Sequence, residues 1–399
     1  MATAPSSPAP AGRPRWLFVA ILLLGFAFLI ETCAHVASKV LVHKNYLYKV
    51  PSGAGDVTYA QAVHDQRPVV GLPPLTGRFE FGGKLVDESG ARRSAAYPDF
   101  HLPSCVSAYG DSFVYAWNVD EAHAWPDALA QALRCRVANY GATGAGSDQA
   151  YLRYKLMPKD ASAVVILGHM SENIMRNVTR LRDLSHGGLN YNFKPRFILD
   201  AAGNLQLLPM PDVTEADYRR VVGLDDPPLV LEHETFQPGG AMVSPVQRFP
   251  YVVSLLAGLR DYRLRARLNG NRPPWAVLYH ADDPAQGLQV TVAIARAFGD
   301  EARTRGQRAL VLIMPELRDL EYFERKHAWS YQPLLEQLDA AKIPYADFGP
   351  YLARHQQGAD AKSSYSADGH YTVEANAALA RFVAEDLARR GWTPPPARD

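Results

Sequence analysis

From Cys105 onward, short β-branched or apolar runs alternate with stretches of helical periodicity: VSAYG, WPDALAQAL, RVANYG, ASAVVILG and, much later, ALVLIMP and IPYADFG. That alternation predicts an α/β domain with a parallel sheet flanked by helices. The final segment, VEANAALARFVAEDLARRG, has apolar residues at helical spacing and ends in Arg-Arg-Gly, a helix with its stop signal. Roughly 140 residues separate the third strand from ALVLIMP, although one helix and loops of ~2 to 6 residues would suffice, so an insertion is expected at about 179–305. Within it, FILDAAGNLQLLP reads as a hairpin and Val252 to Leu268 as one long helix. Substrate cap and structural padding are both open readings for this insertion.

The N-terminal part is of another kind. Residues 1–15 begin MATAPSSPAPAG and read as a disordered cytoplasmic terminus. No charge occurs from Trp16 to Ile30, and residues 16–37 are long enough to span a ~30 Å hydrocarbon core as one transmembrane anchor. A signal peptide cut after Ala34 or Ala37 is the rival reading. Residues 38–104 form a membrane-proximal lead with short β-like pieces such as GRFEFGG. The catalytic domain is placed at 105–399, on the extracytoplasmic side, which is periplasmic in a Gram-negative cell.

Charge and cysteine content exclude several functions. With 42 Lys and Arg against 41 Asp and Glu, the chain offers no bulk attraction to a polyanion, so no nucleic-acid role is expected. Its three cysteines, Cys33, Cys105 and Cys135, lack C-x-x-C spacing, so no zinc or redox site is expected, and no metal or cofactor.

In an open α/β sheet, reactive groups belong at the carboxyl ends of strands. The first strand ends in Gly110-Asp111-Ser112, a sharp turn that places a serine hydroxyl at the mouth of the sheet. The second ends in Asn139-Tyr140-Gly141-Ala142-Thr143-Gly144, whose amides suit an oxyanion; Gly-Lys-Ser/Thr and G-x-G-x-x-G are both absent there. The third leads through Gly168 and Glu172 to Asn173, a candidate oxyanion donor preferred over Asn177, with Arg176 placed to pair with Glu172 across one turn. Near the end stands Ser366-Ala367-Asp368-Gly369-His370, where an acid two positions from a histidine can fix its tautomer while the other ring nitrogen faces the serine.

This set resembles the GDSL, or SGNH, hydrolase superfamily, whose four blocks contribute Ser, Gly, Asn and His. Gly110-Asp111-Ser112 matches the first block, Asn139 to Gly144 the second, and Asp368 with His370 the fourth. The third departs from Gly-x-Asn-Asp, since Asn173 lies five residues after Gly168 and no Asp follows. Asp-x-His, in place of the commoner Asp-x-x-His, also occurs in membrane-associated members that handle acyl groups on extracellular polysaccharides.

The resemblance implies a flavodoxin-like three-layer sandwich with a mainly parallel five-stranded sheet. It also implies a serine-dependent ester hydrolase or O-acyltransferase: Ser112 nucleophile, His370 base, Asp368 orienting acid, and an oxyanion hole from Ser112, Gly144 and Asn173. Asp111, Glu172 and Arg176 would support the site. The implied partner is an acylated carbohydrate or another small ester. The rivals are a catalytically silent, membrane-tethered glycan-binding or assembly protein keeping the fold, and a lipase working at the bilayer. In this fold the first two strands are neighbours. Cys105, six residues before Asp111, and Cys135, six before Gly141, should then lie within disulfide reach.

Overall fold

Helix α1 (Arg15–His43) and the antiparallel pair β1 (Phe79–Phe81) and β2 (Lys84–Val86) precede the main sheet. Then come β3 (Ser104–Gly110), α2 (Ser112–Tyr115), α3 (Trp125–Leu133), β4 (Arg136–Gly141), α4 (Ser147–Leu156), β5 (Val164–Met170) and α5 (Asn173–Asn177). The hairpin β6 (Arg196–Leu199) and β7 (Leu205–Leu208), helices α6 (Tyr251–Gly258) and α7 (Tyr262–Leu268), and α8 (Gly287–Thr304) follow. The chain closes with β8 (Arg308–Met314), α9 (Leu317–Lys326), α10 (Gln332–Ala340), β9 (Tyr345–Asp347), α11 (Gly349–His355) and α12 (Val373–Arg389). This computed structural model describes residues 15–43, 79–81, 83–182, 193–214, 216–217, 220, 231–237, 242, 247–355 and 360–393. Most of the expected disordered terminus (1–14), much of the lead (44–78) and the C-terminal tail (394–399) lie outside the described residues.

The central sheet has the order β4-β3-β5-β8-β9, every pair parallel. Strand order reverses at β3, so the flavodoxin-like switch point falls between β3 and β5, above whose carboxyl ends ligands bind in such sheets. Successive residues of β5 serve opposite faces. Val164 and Ile166 join the core under α3 and α12, while Val165 and Leu167 join the core under α4 and α8. All four are buried, each worth ~1.5 to 3 kcal/mol. Covering both faces gives the three layers and explains why these strands read as continuous apolar runs.

The insertion differs from expectation in two places. Helix α8 packs on β5 and β8 as the regular crossover helix, so the added segment ends before Gly287 and not near 305. The long helix expected from Val252 to Leu268 is two helices, because Asp261 accepts hydrogen bonds from the amides of Arg263 and Leu264 and starts a new one. FILDAAGNLQLLP is a hairpin, with Asp200 accepting from the amides of Ala202 and Asn204 and Gly203 at φ +81°. Helix α1 runs past Ala37 to His43 and is long and apolar enough to cross a membrane.

Cys105 and Cys135 form a disulfide with α-carbons 6.0 Å apart. Gly110 pairs with Gly141, so the two cysteines stand five and six residues back from the paired ends, and not equally. A register shift between Ser104 and Val106 absorbs the odd residue, which is Cys105 itself. Closing this loop should stabilise the domain by ~3 to 4 kcal/mol on the chain-entropy view. Urea unfolding with and without reductant is the measurement: a lower midpoint on reduction is expected, and coincident curves would show that the bridge contributes nothing.

Candidate active site

The turn after β3 is built to present Ser112. Asp111 is extended, and its side chain caps α2 by accepting the Phe113 amide at 2.9 Å, which leaves Ser112 as the first helical residue. Helix α2 rests directly on the ends of three adjacent strands. A Cβ at Gly110 or Gly168 would collide with Val114, and one at Gly141 with the backbone of Tyr115. At its other end, the buried Arg92 from the lead donates to the carbonyls of Tyr115 and Ala116, both at 2.6 Å, and of Val119 at 2.7 Å. A cation on those carbonyls satisfies groups the helix leaves orphaned and complements its dipole.

The loop before α12 brings His370 to Ser112. His370 Nε2 lies 2.9 Å from Ser112 Oγ, and Asp368 Oδ2 lies 3.3 Å from His370 Nδ1. Asn118 ties this loop to the one after α2, donating to Ser366 Oγ and to the Tyr371 carbonyl, both at 2.9 Å. Gly369 at φ +84° lets the chain double back so that the Ser366 amide reaches the His370 carbonyl at 2.8 Å. Phe113 packs edge-on against Tyr371 and beside the His370 ring. Partial burial works to raise the Asp368 pKa, but the Ser366 hydroxyl, the His370 amide and the ring outweigh it and hold the carboxyl below its usual range. Asp368 therefore stays anionic beside the His370 ring.

Arg176 joins the three strand-end turns. It donates to the Ala145 carbonyl at 2.9 Å after β4, pairs with Asp111 at 3.5 Å after β3, and pairs with Glu172 at 3.2 Å on its own turn. Asp111 is fully buried; desolvation raises its pKa, partly offset by Arg176 and the Phe113 amide. Asp111, Glu172 and Arg176 are thus one chain of charges beneath the serine.

Gly144 and Asn173 follow β4 and β5, the strands on either side of β3, so their loops flank the serine turn. Gly144 adopts φ +79°, and a Cβ there would collide with the Arg182 guanidinium. Asn173 is fully buried, yet neither its Oδ1 nor its Nδ2 has a hydrogen-bond partner. Asn177, one turn on and equally buried, is satisfied at both ends: Oδ1 accepts from the Asp148 amide at 3.2 Å, and Nδ2 donates to Thr291 at 2.9 Å.

Several supports left no signal in the sequence. Besides Arg92, the buried Lys194 pairs with Asp148 and donates to the Arg176 carbonyl at 2.9 Å. Asp319, whose carboxyl burial pushes up to about 6, accepts from Ser171 and Ser330. His169 is buried between Ser147 and Tyr279, and desolvation pushes its pKa down to about 3, so it is neutral. Among the described residues, no group of three His, Cys, Asp or Glu side chains is arranged to hold a metal ion.

Neither a protein-family model nor a curated protein matches the chain. Solved structures do. A protein titled as lipolytic and of the G-D-S-L family, from Desulfitobacterium hafniense DCB-2, is 11% identical over 70% of this chain and 97% of its own, with a TM-score of 0.31. TesA is 16% identical over 71% of this chain and 98% of its own, TM-score 0.35. A protein from Lactobacillus plantarum is 11% identical over 72% of this chain and 98% of its own, TM-score 0.35.

Proposed function

We propose that the chain is a membrane-anchored serine ester hydrolase of the GDSL/SGNH type that forms an acyl-enzyme at Ser112, with O-acyl groups of an extracytoplasmic glycan as its substrates. The observation that carries the reading is the 2.9 Å hydrogen bond between Ser112 Oγ and His370 Nε2 at the switch point of the sheet, with Asp368 on the far ring nitrogen. Ser112 Oγ attacks the ester carbonyl carbon as Nε2 takes its proton, and the C=O pair moves onto oxygen. Amides of Ser112 and Gly144 and the Asn173 carboxamide receive that oxyanion. As the intermediate collapses, the C–O bond to the alcohol breaks and the alcohol leaves with the proton from Nε2. Water then gives a proton to His370 and attacks the acyl carbon; the acyl–Oγ bond breaks, Nε2 returns the proton to Ser112 Oγ, and the acid leaves. A sugar hydroxyl in place of water gives O-acyl transfer with the same residues.

The glycan assignment rests on the Asp-x-His spacing, Asp368 to His370, and its resemblance to membrane-associated members. The anchor reading is favoured over a cleaved signal by Glu31, which accepts the Tyr251 amide at 2.6 Å; a cut after Ala34 or Ala37 would strip that partner from the folded domain. A fluorophosphonate should label the folded full-length protein on one serine, and peptide mapping should place the label at Ser112. Labelling at another serine would move the nucleophile there and reject Ser112, and no labelling of folded protein would favour the silent glycan-binding alternative.

A further inference from the structure

The insertion carries an apolar face that the site does not use. Val253 and Leu256 on α6, Phe249 just before it and Leu259 at its C-cap are all more than half exposed, and Leu268 at the end of α7 is exposed too. The opposite side of α6 packs on α1. The buried residues of α1 are Ala34 and Ser38, and those of α6 are Ser254 and Gly258. Each pair is four apart, the small-residue spacing that lets helices approach closely within membranes. Glu31 of α1 supplies the carboxylate that α6 lacks in its own sequence, accepting the Tyr251 amide at 2.6 Å and the Val252 amide at 3.4 Å. Gln247 donates to Ser38 Oγ at 2.6 Å, and the rings of His35 and Tyr251 lie 4.2 Å apart.

Depth follows from the helix rise. At ~1.5 Å per residue, about 20 residues from Arg15 cross a ~30 Å core, which brings Glu31 to Ser38 to the far boundary of the hydrocarbon. Helix α6 is fastened at that level. Its exposed apolar face therefore lies at the depth where α1 leaves the hydrocarbon. Around it the charge is of one sign: residues 247–272 include Arg248, Arg260, Arg265 and Arg267, all exposed, while the one acid, Asp261, is buried.

We propose that α6 and the exposed side of α7 form a second membrane contact, an interfacial element whose apolar face lies among the upper acyl chains while its arginines meet phosphate headgroups. The partner is the lipid surface itself. This rests on the anchor reading and deepens it: the domain is held at two points, so its height above the bilayer is fixed, and it cannot swing freely about the end of α1.

Full-length protein in the Cys33→Ser background tests the proposal, with one added cysteine per variant, Leu256→Cys, Phe26→Cys or Glu336→Cys, each carrying a polarity-sensitive fluorophore. The proteins are reconstituted in vesicles of phosphatidylcholine with a minority of phosphatidylglycerol, with and without lipids spin-labelled near the headgroup. The probe at position 256 should emit as in an apolar medium and lose about half its intensity to the quenching lipid, as expected for burial ~5 to 10 Å into the interface. The probe at 336 should be unaffected. A water-like, unquenched signal at 256 with the probe at 26 still in lipid would overturn the second contact and leave the anchor standing. Water-like signals at both positions would overturn the anchor and this inference with it. Loss of quenching at 256 together with a disulfide-linked dimer of the unlabelled Leu256→Cys protein would assign the face to a second copy instead.

Discussion

Ser112→Ala protein is expected to fold like the parent and to lose hydrolysis of small acyl esters by about 10⁴- to 10⁶-fold, the loss seen when a member of such a unit is removed. The hydroxyl is hydrogen-bonded to His370, while the Ser112 carbonyl keeps its partner, the Trp117 amide at 3.1 Å. Alanine therefore removes the reacting atom and leaves α2 seated on its glycine-ended strands. His370→Ala should cost about as much, and the double variant little more, because neither residue has a use without the other. Asp368→Ala should cost less than either. Its carboxylate is nearly half exposed and stands 3.3 Å from the ring, so water can partly replace it. Initial rates on p-nitrophenyl acetate, with melting curves as the folding control, provide the measurement. Additive losses in the double variant, or a folded Ser112→Ala protein with full activity, would show that Ser112 and His370 are not the nucleophile and its base.

What could be read in the sequence was what period and turn chemistry encode locally. The runs of β3, β4, β5 and β8 feed the cores on both faces of the sheet, and their order along the chain is enough to bring Gly110, Gly141 and Gly168 to one edge. Asp368 and His370 were visible because a carboxylate and an imidazole share one short turn. Arg92 was not. It comes from the lead, far from any catalytic block, and its partners are backbone carbonyls, which have no residue signature. The break between α6 and α7 was hidden by continuous helical periodicity and was set by Asp261, a cap that ended one helix by starting the next. The crossover helix α8 was absorbed into the expected insertion because nothing in its sequence says that it packs on β8. The contact between α1 and α6 joins residues more than two hundred positions apart and lay beyond any local pattern.

The choice between Asn173 and Asn177 shows how structure adds what spacing lacks, and it yields the second large effect. Both carboxamides are fully buried, so both should have cost free energy unless satisfied. Asn177 is satisfied at both ends and locks α5 to α4 and α8. Asn173 has no partner for either atom, a burial that costs ~1 to 3 kcal/mol and offers the fold nothing in return. Its position at the start of α5, in the turn that flanks the serine, gives that cost a use if Nδ2 donates to an oxyanion that exists only during reaction. Asn173→Ala should then lower kcat by ~10²- to 10³-fold while leaving the denaturation midpoint unchanged or higher. Asn177→Ala should do the opposite, losing ~1 to 3 kcal/mol of stability with activity per folded molecule largely kept. Steady-state kinetics and urea unfolding on the two variants separate the roles. A stable, fully active Asn173→Ala enzyme would leave the oxyanion to the backbone amides of Ser112 and Gly144.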